Sequence, residues 1–178
     1  MGIFPKAAVQ KRQAENIGGT ARQDRLVPGR YRLRVSKYTI APSSNPKKKN
    51  TTNSLLEVEV LQTLTVRSGS YEDRNRNTVE WESQTAGDLA AVKEFITFDG
   101  DGEPASYADD YALQRVVNFG AFILGTRDFP TEALEELGSP ANPLKGVEFT
   151  IDITQRRSGK TGSLITDYNY SDLDAGLE

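Results

Sequence analysis

The stretch Val27-Pro28-Gly29-Arg30-Tyr31-Arg32-Leu33-Arg34-Val35 decides how this chain is read. Pro28-Gly29 is a turn signal. The six residues after it alternate strictly, which is the pattern of a half-buried strand. Tyr31, Leu33 and Val35 share the inner face, and Arg30, Arg32 and Arg34 share the outer one. The strand is expected to run on to Ile40, with Tyr38 near its far end.

Two kinds of segment follow downstream. The loop Ala41–Asn53 is rich in Pro, Ser, Asn and Lys. It leads to a second alternating strand, Ser54–Leu61, with Leu56, Val58 and Val60 inward and Glu57 and Glu59 outward. Ser68–Asn77 is polar, and Thr78–Ser83 reads as a third strand with Val79 and Trp81 on one face. Trp81, the only tryptophan, is assigned to core packing. Leu89–Phe98 is apolar, and Leu89, Val92, Lys93 and Ile96 suit a short helix. Asp109–Gly125 and Thr131–Gly138 carry helix start and stop signals. Val147–Thr154 alternates as a fourth strand. The loop Gln155–Gly162 connects it to a fifth, Ser163–Tyr170, in which Tyr168 and Tyr170 share one face with Leu164.

Upstream, residues 1–26 show no sustained apolar period and form a basic arm. They also lack the apolar core of a signal peptide, so secretion is not expected. Met1-Gly2 alone does not make a myristoylation site, because Lys6 stands where Ser or Thr is needed. Residues 27–171 form the expected domain, and 172–178 a short acidic tail. No apolar run approaches the ~18–20 residues of a membrane helix, so no membrane partner is expected.

Composition narrows the function. The 178 residues contain no Cys and no His. That removes thiol nucleophiles, thiolate and imidazole metal sites, and the commonest general base. Catalysis, a metal and a cofactor are therefore not expected. The net charge of −3 is unevenly spread: residues 1–50 hold 12 basic and two acidic groups, an excess of ten, and the remainder is −13. Such asymmetry suits a polyanion partner at the basic end, or a basic arm packed on an acidic neighbour.

Lys47, Lys48 and Lys49 lie in the loop between the first and second strands; Arg156, Arg157 and Lys160 lie between the fourth and fifth. Two basic loops at these places suit a groove that tracks a phosphate backbone. Arg30, Arg32 and Arg34 add an outer-face ladder, which Glu57 and Glu59 on the neighbouring strand are placed to neutralise. Tyr38 is the candidate base platform. Ser158-Gly159-Lys160-Thr161-Gly162 is not a phosphate loop, because Thr154 stands where its first Gly must be and a strand follows. Asp99, Asp101 and Glu103 do not make a calcium loop, because Pro104 holds the required Gly position.

Three strands, a helical insertion and a two-strand hairpin give a mainly β, α+β chain. This is the layout of a five-stranded OB-like Greek-key barrel with its helix between strands three and four. An open α+β sheet or a virion-type β-sandwich are the other architectures.

The segments LVPGRYRLRVSKYTI (26–40), TTNSLLEVEVLQ (51–62) and NPLKGVEFTIDITQRRSGKTGSLITDYNYSDL (142–173) resemble bacteriophage-encoded OB-fold single-stranded DNA-binding proteins. The shared features are Pro28-Gly29-Arg30-Tyr31, the Lys47–Lys49 loop, Leu55–Val60, and Leu144-Lys145-Gly146 followed by the basic tip Arg156–Lys160. The resemblance implies sequence-independent binding of single-stranded DNA in phage replication or recombination, in the host cytoplasm. The contrasting expectation is a structural capsid- or tail-associated phage protein, whose basic arm contacts further copies or other particle components.

Overall fold

The computed structural model describes residues 25–160 and 164–174. The strands are β1 (Gly29–Pro42), β2 (Thr51–Val66), β3 (Ser68–Glu72), β4 (Thr78–Glu82), β5 (Leu89–Thr97), β6 (Glu148–Arg157) and β7 (Leu164–Asp174). Two helices, α1 (Tyr107–Leu124) and α2 (Thr131–Leu137), stand between β5 and β6. Five strands form one antiparallel sheet in the order β5-β2-β1-β6-β7, while β3 and β4 form a separate hairpin. The chain is therefore β-rich α+β, and its helices follow the third strand of the main sheet. No sheet closes on itself among the described residues.

Leu89–Phe98 is a strand rather than a helix. Val92, Glu94 and Ile96 point inward, while Leu89, Lys93 and Phe95 point outward. A short apolar run fits both periods, and here pairing with β2 decides the outcome. Thr78–Ser83 does contain a strand, but it pairs only with β3, so the third sheet strand is β5. Trp81 is consequently half-buried on the hairpin and outside the core. β7 also runs on to Asp174, so the first residues of the expected acidic tail are strand. Residues 1–24 of the basic arm lie outside the described residues, whereas Arg25 and Leu26 belong to the body.

The core lies on the inner face of the sheet. Tyr31, Leu33, Val58, Val60, Phe149 and Ile151 are all buried there. Helix α1 covers them with Phe119, whose ring meets Tyr38, Phe149 and Tyr170 at 5.1, 5.9 and 5.4 Å. Ser106 caps α1 by accepting from the Asp109 N–H, and Gly125 ends it at φ 72°, a left-handed turn that costs glycine little. The Ser106 hydroxyl and the Thr97 N–H both donate to Asp109, and these bonds hold its carboxyl below the usual range.

The two edge strands of the sheet, β5 and β7, are bridged by other means than a ladder. Glu94 on β5 accepts two bonds from Arg115 of α1, at 2.7 and 2.9 Å. The same guanidinium lies 6.0 Å from the ring centroid of Tyr168 on β7. The Leu26 N–H donates to the Ala91 carbonyl at 3.0 Å, and Arg25 and Ala91 form a parallel bridge on the β5 edge. Helix and entering chain thus occupy the seam.

Among the described residues, the β3–β4 hairpin is anchored at its base. The Arg67 N–H donates to Ser83 Oγ at 2.7 Å, and Ser83 Oγ in turn reaches the Pro28 carbonyl at 2.8 Å. Arg67 is also paired with Asp152 at 2.7 Å. Above the base, the Trp81 indole lies across Gly69, where any Cβ would run into the ring. Gly69→Ala is therefore expected to push the indole off the hairpin. Because Trp81 is the only tryptophan, its emission should shift to the red while the thermal midpoint of the body stays unchanged. An unshifted spectrum would contradict this packing.

Candidate nucleic-acid interface

The structure rearranges the expected site residues. Tyr38 is not a base platform: it is 1% exposed, and its hydroxyl accepts from Ser54 Oγ at 3.0 Å. Burial pushes its phenol up to about 12. The cause is a β-bulge between Val35 and Lys37. Uninterrupted alternation from Arg30 would turn Tyr38 outward. One extra residue reverses the phase and turns it into the core.

The two basic loops are not brought together. β6 runs antiparallel to β1, with Gly29 opposite Ile153, so the β6–β7 tip emerges beside the start of β1. Lys47, Lys48 and Lys49 follow its end. β1 has 14 residues, which at ~3.3 Å each separates the loops by roughly 40 Å along the strand. Arg156 is paired with Asp167 at 2.9 Å. Arg156 and Arg157 are the last two residues of β6 and not loop residues as expected, because pairing with Ile165 and Leu164 carries the ladder out to the tip, where Arg157 and Lys160 are exposed.

The arginine ladder is largely engaged within the sheet. Arg34 lies between Glu59 and Glu148, at 3.7 and 3.9 Å. Arg32 donates to Thr150 Oγ1 and to the Asp172 carbonyl. Arg30 is exposed, opposite Asp152. Glu57 does not face the ladder; the bulge sets it against Lys37.

A different cluster forms at the end of β1 that carries the lysine loop. Pairing across β1, β2 and β5 aligns Lys37, Glu57 and Ala91 in one row of the outer face. The next row is Thr39, Leu55 and Lys93, and the last is Ala41, Asn53 and Phe95. Phe95 is 49% exposed on this face. The Lys48 ammonium stands 5.5 Å from its ring centroid, a cation–π contact. Lys47 and Lys49 flank Lys48 in an exposed loop shaped by Asn45, whose Oδ1 accepts from the Lys47 N–H at 3.0 Å.

This cluster has an acidic border. The Phe98 N–H donates to the Asn50 carbonyl at 2.9 Å, which sets the loop of Asp99, Asp101 and Glu103 beside the lysine loop. The basic surface is thereby directed over the sheet, towards Phe95 and Lys93.

Phe95, Lys93 and Lys37 were not among the expected site residues. A signal for the first two was present, whereas the bulge before Lys37 hid its outward direction. Once Leu89–Phe98 is read with period two, Phe95 and Lys93 share the face opposite Val92 and Ile96. Among the described residues no group of three or more potential metal ligands occurs, and no helix is long and apolar enough to cross a membrane. Comparison with protein-family models, with curated proteins and with solved structures finds no match.

Proposed function

We propose that the protein binds single-stranded DNA without sequence preference, across the outer face of β1, β2 and β5, in phage replication or recombination. The observation that carries this reading is the exposed Phe95 ring with Lys48 over it, beside Lys47, Lys49 and Lys93. Single-strand binders combine cations that follow the backbone with aromatic faces on which bases stack. A base on Phe95 would release the Lys48 ammonium to the adjoining phosphate. The chain's own residues supply both parts of that contact, so no cofactor enters the reading.

The sheet order supports an OB-like architecture, a partly open Greek-key barrel with α1 between its third and fourth strands. In this reading α1 and Leu26 fill the side where the barrel stays open.

The test is a salt titration of binding to a labelled oligothymidine. Single-strand binding loses affinity with salt at a slope of about 0.7 per neutralised phosphate. Lys47, Lys48 and Lys49 changed together to Ala should reduce that slope by about 2 and weaken binding at every salt concentration. Arg156→Ala should change affinity less than about twofold, because this side chain is already paired with Asp167 and lies at the far end of the sheet. No binding at low salt, or a slope indifferent to the three lysines, would end the proposal.

A further inference from the structure

We propose that the cleft at the base of the β3–β4 hairpin takes up an extended, positively charged peptide segment of a partner protein, which adds as a strand to the free edge of β4. The cleft measures about 980 Å³, and Glu80, Trp81 and Glu82 of β4 form one wall. Tyr168 of β7 and the entering chain at Arg25–Pro28 face them.

The hydrogen-bond pattern defines the free edge. The Ser83 N–H donates to the Arg67 carbonyl at 2.9 Å, and the Asp73 N–H donates to the Asn77 carbonyl at 2.9 Å. These contacts mark the hydrogen-bonded pairs of the hairpin. With the register Gly69–Trp81 and Tyr71–Val79, the main-chain bonds of Trp81 and Val79 are spent on β3. The N–H and C=O groups of Glu80 and Glu82 therefore point away from β3, and both residues line the cleft. No main-chain partner meets them among the described residues. Unpaired strand groups of this kind are what an added peptide strand engages.

The charge of the cleft selects the partner. Among the described residues that line it, Glu80, Glu82 and Asp88 stand against one cation, Arg25. A polyanion is disfavoured there, and a peptide bearing Lys or Arg is favoured. Trp81 offers an aromatic face for a cationic or apolar side chain, and Leu89, 71% exposed, adds apolar surface at the rim. The cleft lies at the start of β1, away from Lys47–Lys49, so this proposal and the nucleic-acid reading stand or fall separately.

The experiment uses the full chain and a fluorescent peptide, acetyl-Lys-Val-Arg-Val-Lys-Val-amide, with the charge mirror acetyl-Glu-Val-Asp-Val-Glu-Val-amide as comparison. The basic peptide should bind saturably and the mirror should not. Glu80→Pro removes one free N–H without touching a ladder bond, and should weaken binding about tenfold or more. Ser70→Pro, at the matching position on the far edge of β3, should leave binding unchanged. A Glu80→Lys/Glu82→Lys pair, which leaves the backbone intact, should abolish it. Equal binding of both peptides, no binding of either, or indifference to Glu80→Pro and to the charge reversal would overturn the proposal. So would a dimer in sedimentation that Glu80→Pro dissolves, since the edge would then belong to a second copy.

Discussion

Arg115→Ala is expected to destabilise the fold by about 3 kcal/mol, at the lower end of the ~3–5 kcal/mol typical when a buried ion pair loses one partner. Glu94 explains the size. Its side chain is 9% exposed, and it accepts both of its short bonds from Arg115, which is itself 28% exposed. Removing Arg115 leaves a largely buried carboxylate in the seam without the guanidinium that balances its charge. Truncating both partners is a different matter. Glu94→Leu with Arg115→Leu should return most of the loss, because the desolvation penalty disappears along with the pair. Urea unfolding of Glu94→Leu, Arg115→Leu and the double variant measures the coupling. A single-variant loss below about 0.5 kcal/mol would mean that the pair does not hold the seam. The consequence reaches the functional face, since Glu94 and Phe95 are neighbours on β5 with opposite orientations. A loosened seam leaves Phe95 on a less ordered strand, so Arg115→Ala should also weaken oligonucleotide binding.

Strands with unbroken alternation were legible from residues alone. β1 up to Val35, β2 from Ser54 to Val60, and β6 all place the expected side chains inward. Helix α1 was legible through its acidic first turn and Gly125, and α2 through Pro130 and Gly138. What was hidden depended on pairing. The bulge at Ser36 has no composition signal, yet it decides the direction of Tyr38 and the partner of Glu57. The strand nature of β5 follows from its ladder with β2, because Ala90, Ala91 and Val92 are all buried and obscure period two.

The candidate site shows the same limit. The lysine loop lies between β1 and β2 as expected, whereas Arg156 and Arg157 belong to β6 and only Lys160 stands in the turn after it. The separation of these two basic clusters follows from strand direction. β1 and β6 are antiparallel neighbours, so the loop leaving one emerges where the other begins. A connection order cannot convey that without the pairing. Local charge was also misleading: Arg32, Arg34 and Arg156 look like a basic surface in sequence but are engaged by Asp172, Glu59, Glu148 and Asp167. The lysine loop remains after those pairs are set aside, and it converges on an aromatic ring that only the β2–β5 register reveals.

Phe95→Ala is expected to weaken single-stranded DNA binding by about 1–3 kcal/mol, or about 5- to 150-fold, the range of one base–aromatic stack. The ring is half-exposed on the outer face, so its loss opens no core cavity, and the unfolding midpoint should hold within the scatter of surface substitutions. Two features separate this effect from loss of a phosphate contact. The salt slope should stay at the wild-type value, because stacking releases no counterion. Phe95→Trp should bind as tightly as the wild type or more tightly, since any flat ring of sufficient area can hold a base. The lysine variant should behave in the opposite way, with a lower slope and no rescue by an aromatic residue. An unchanged affinity for Phe95→Ala, measured on protein shown to be folded, would remove the ring from the interface. Lys48 over Phe95 would then be an internal contact that shapes the loop, and the phosphate contacts alone would have to account for any binding.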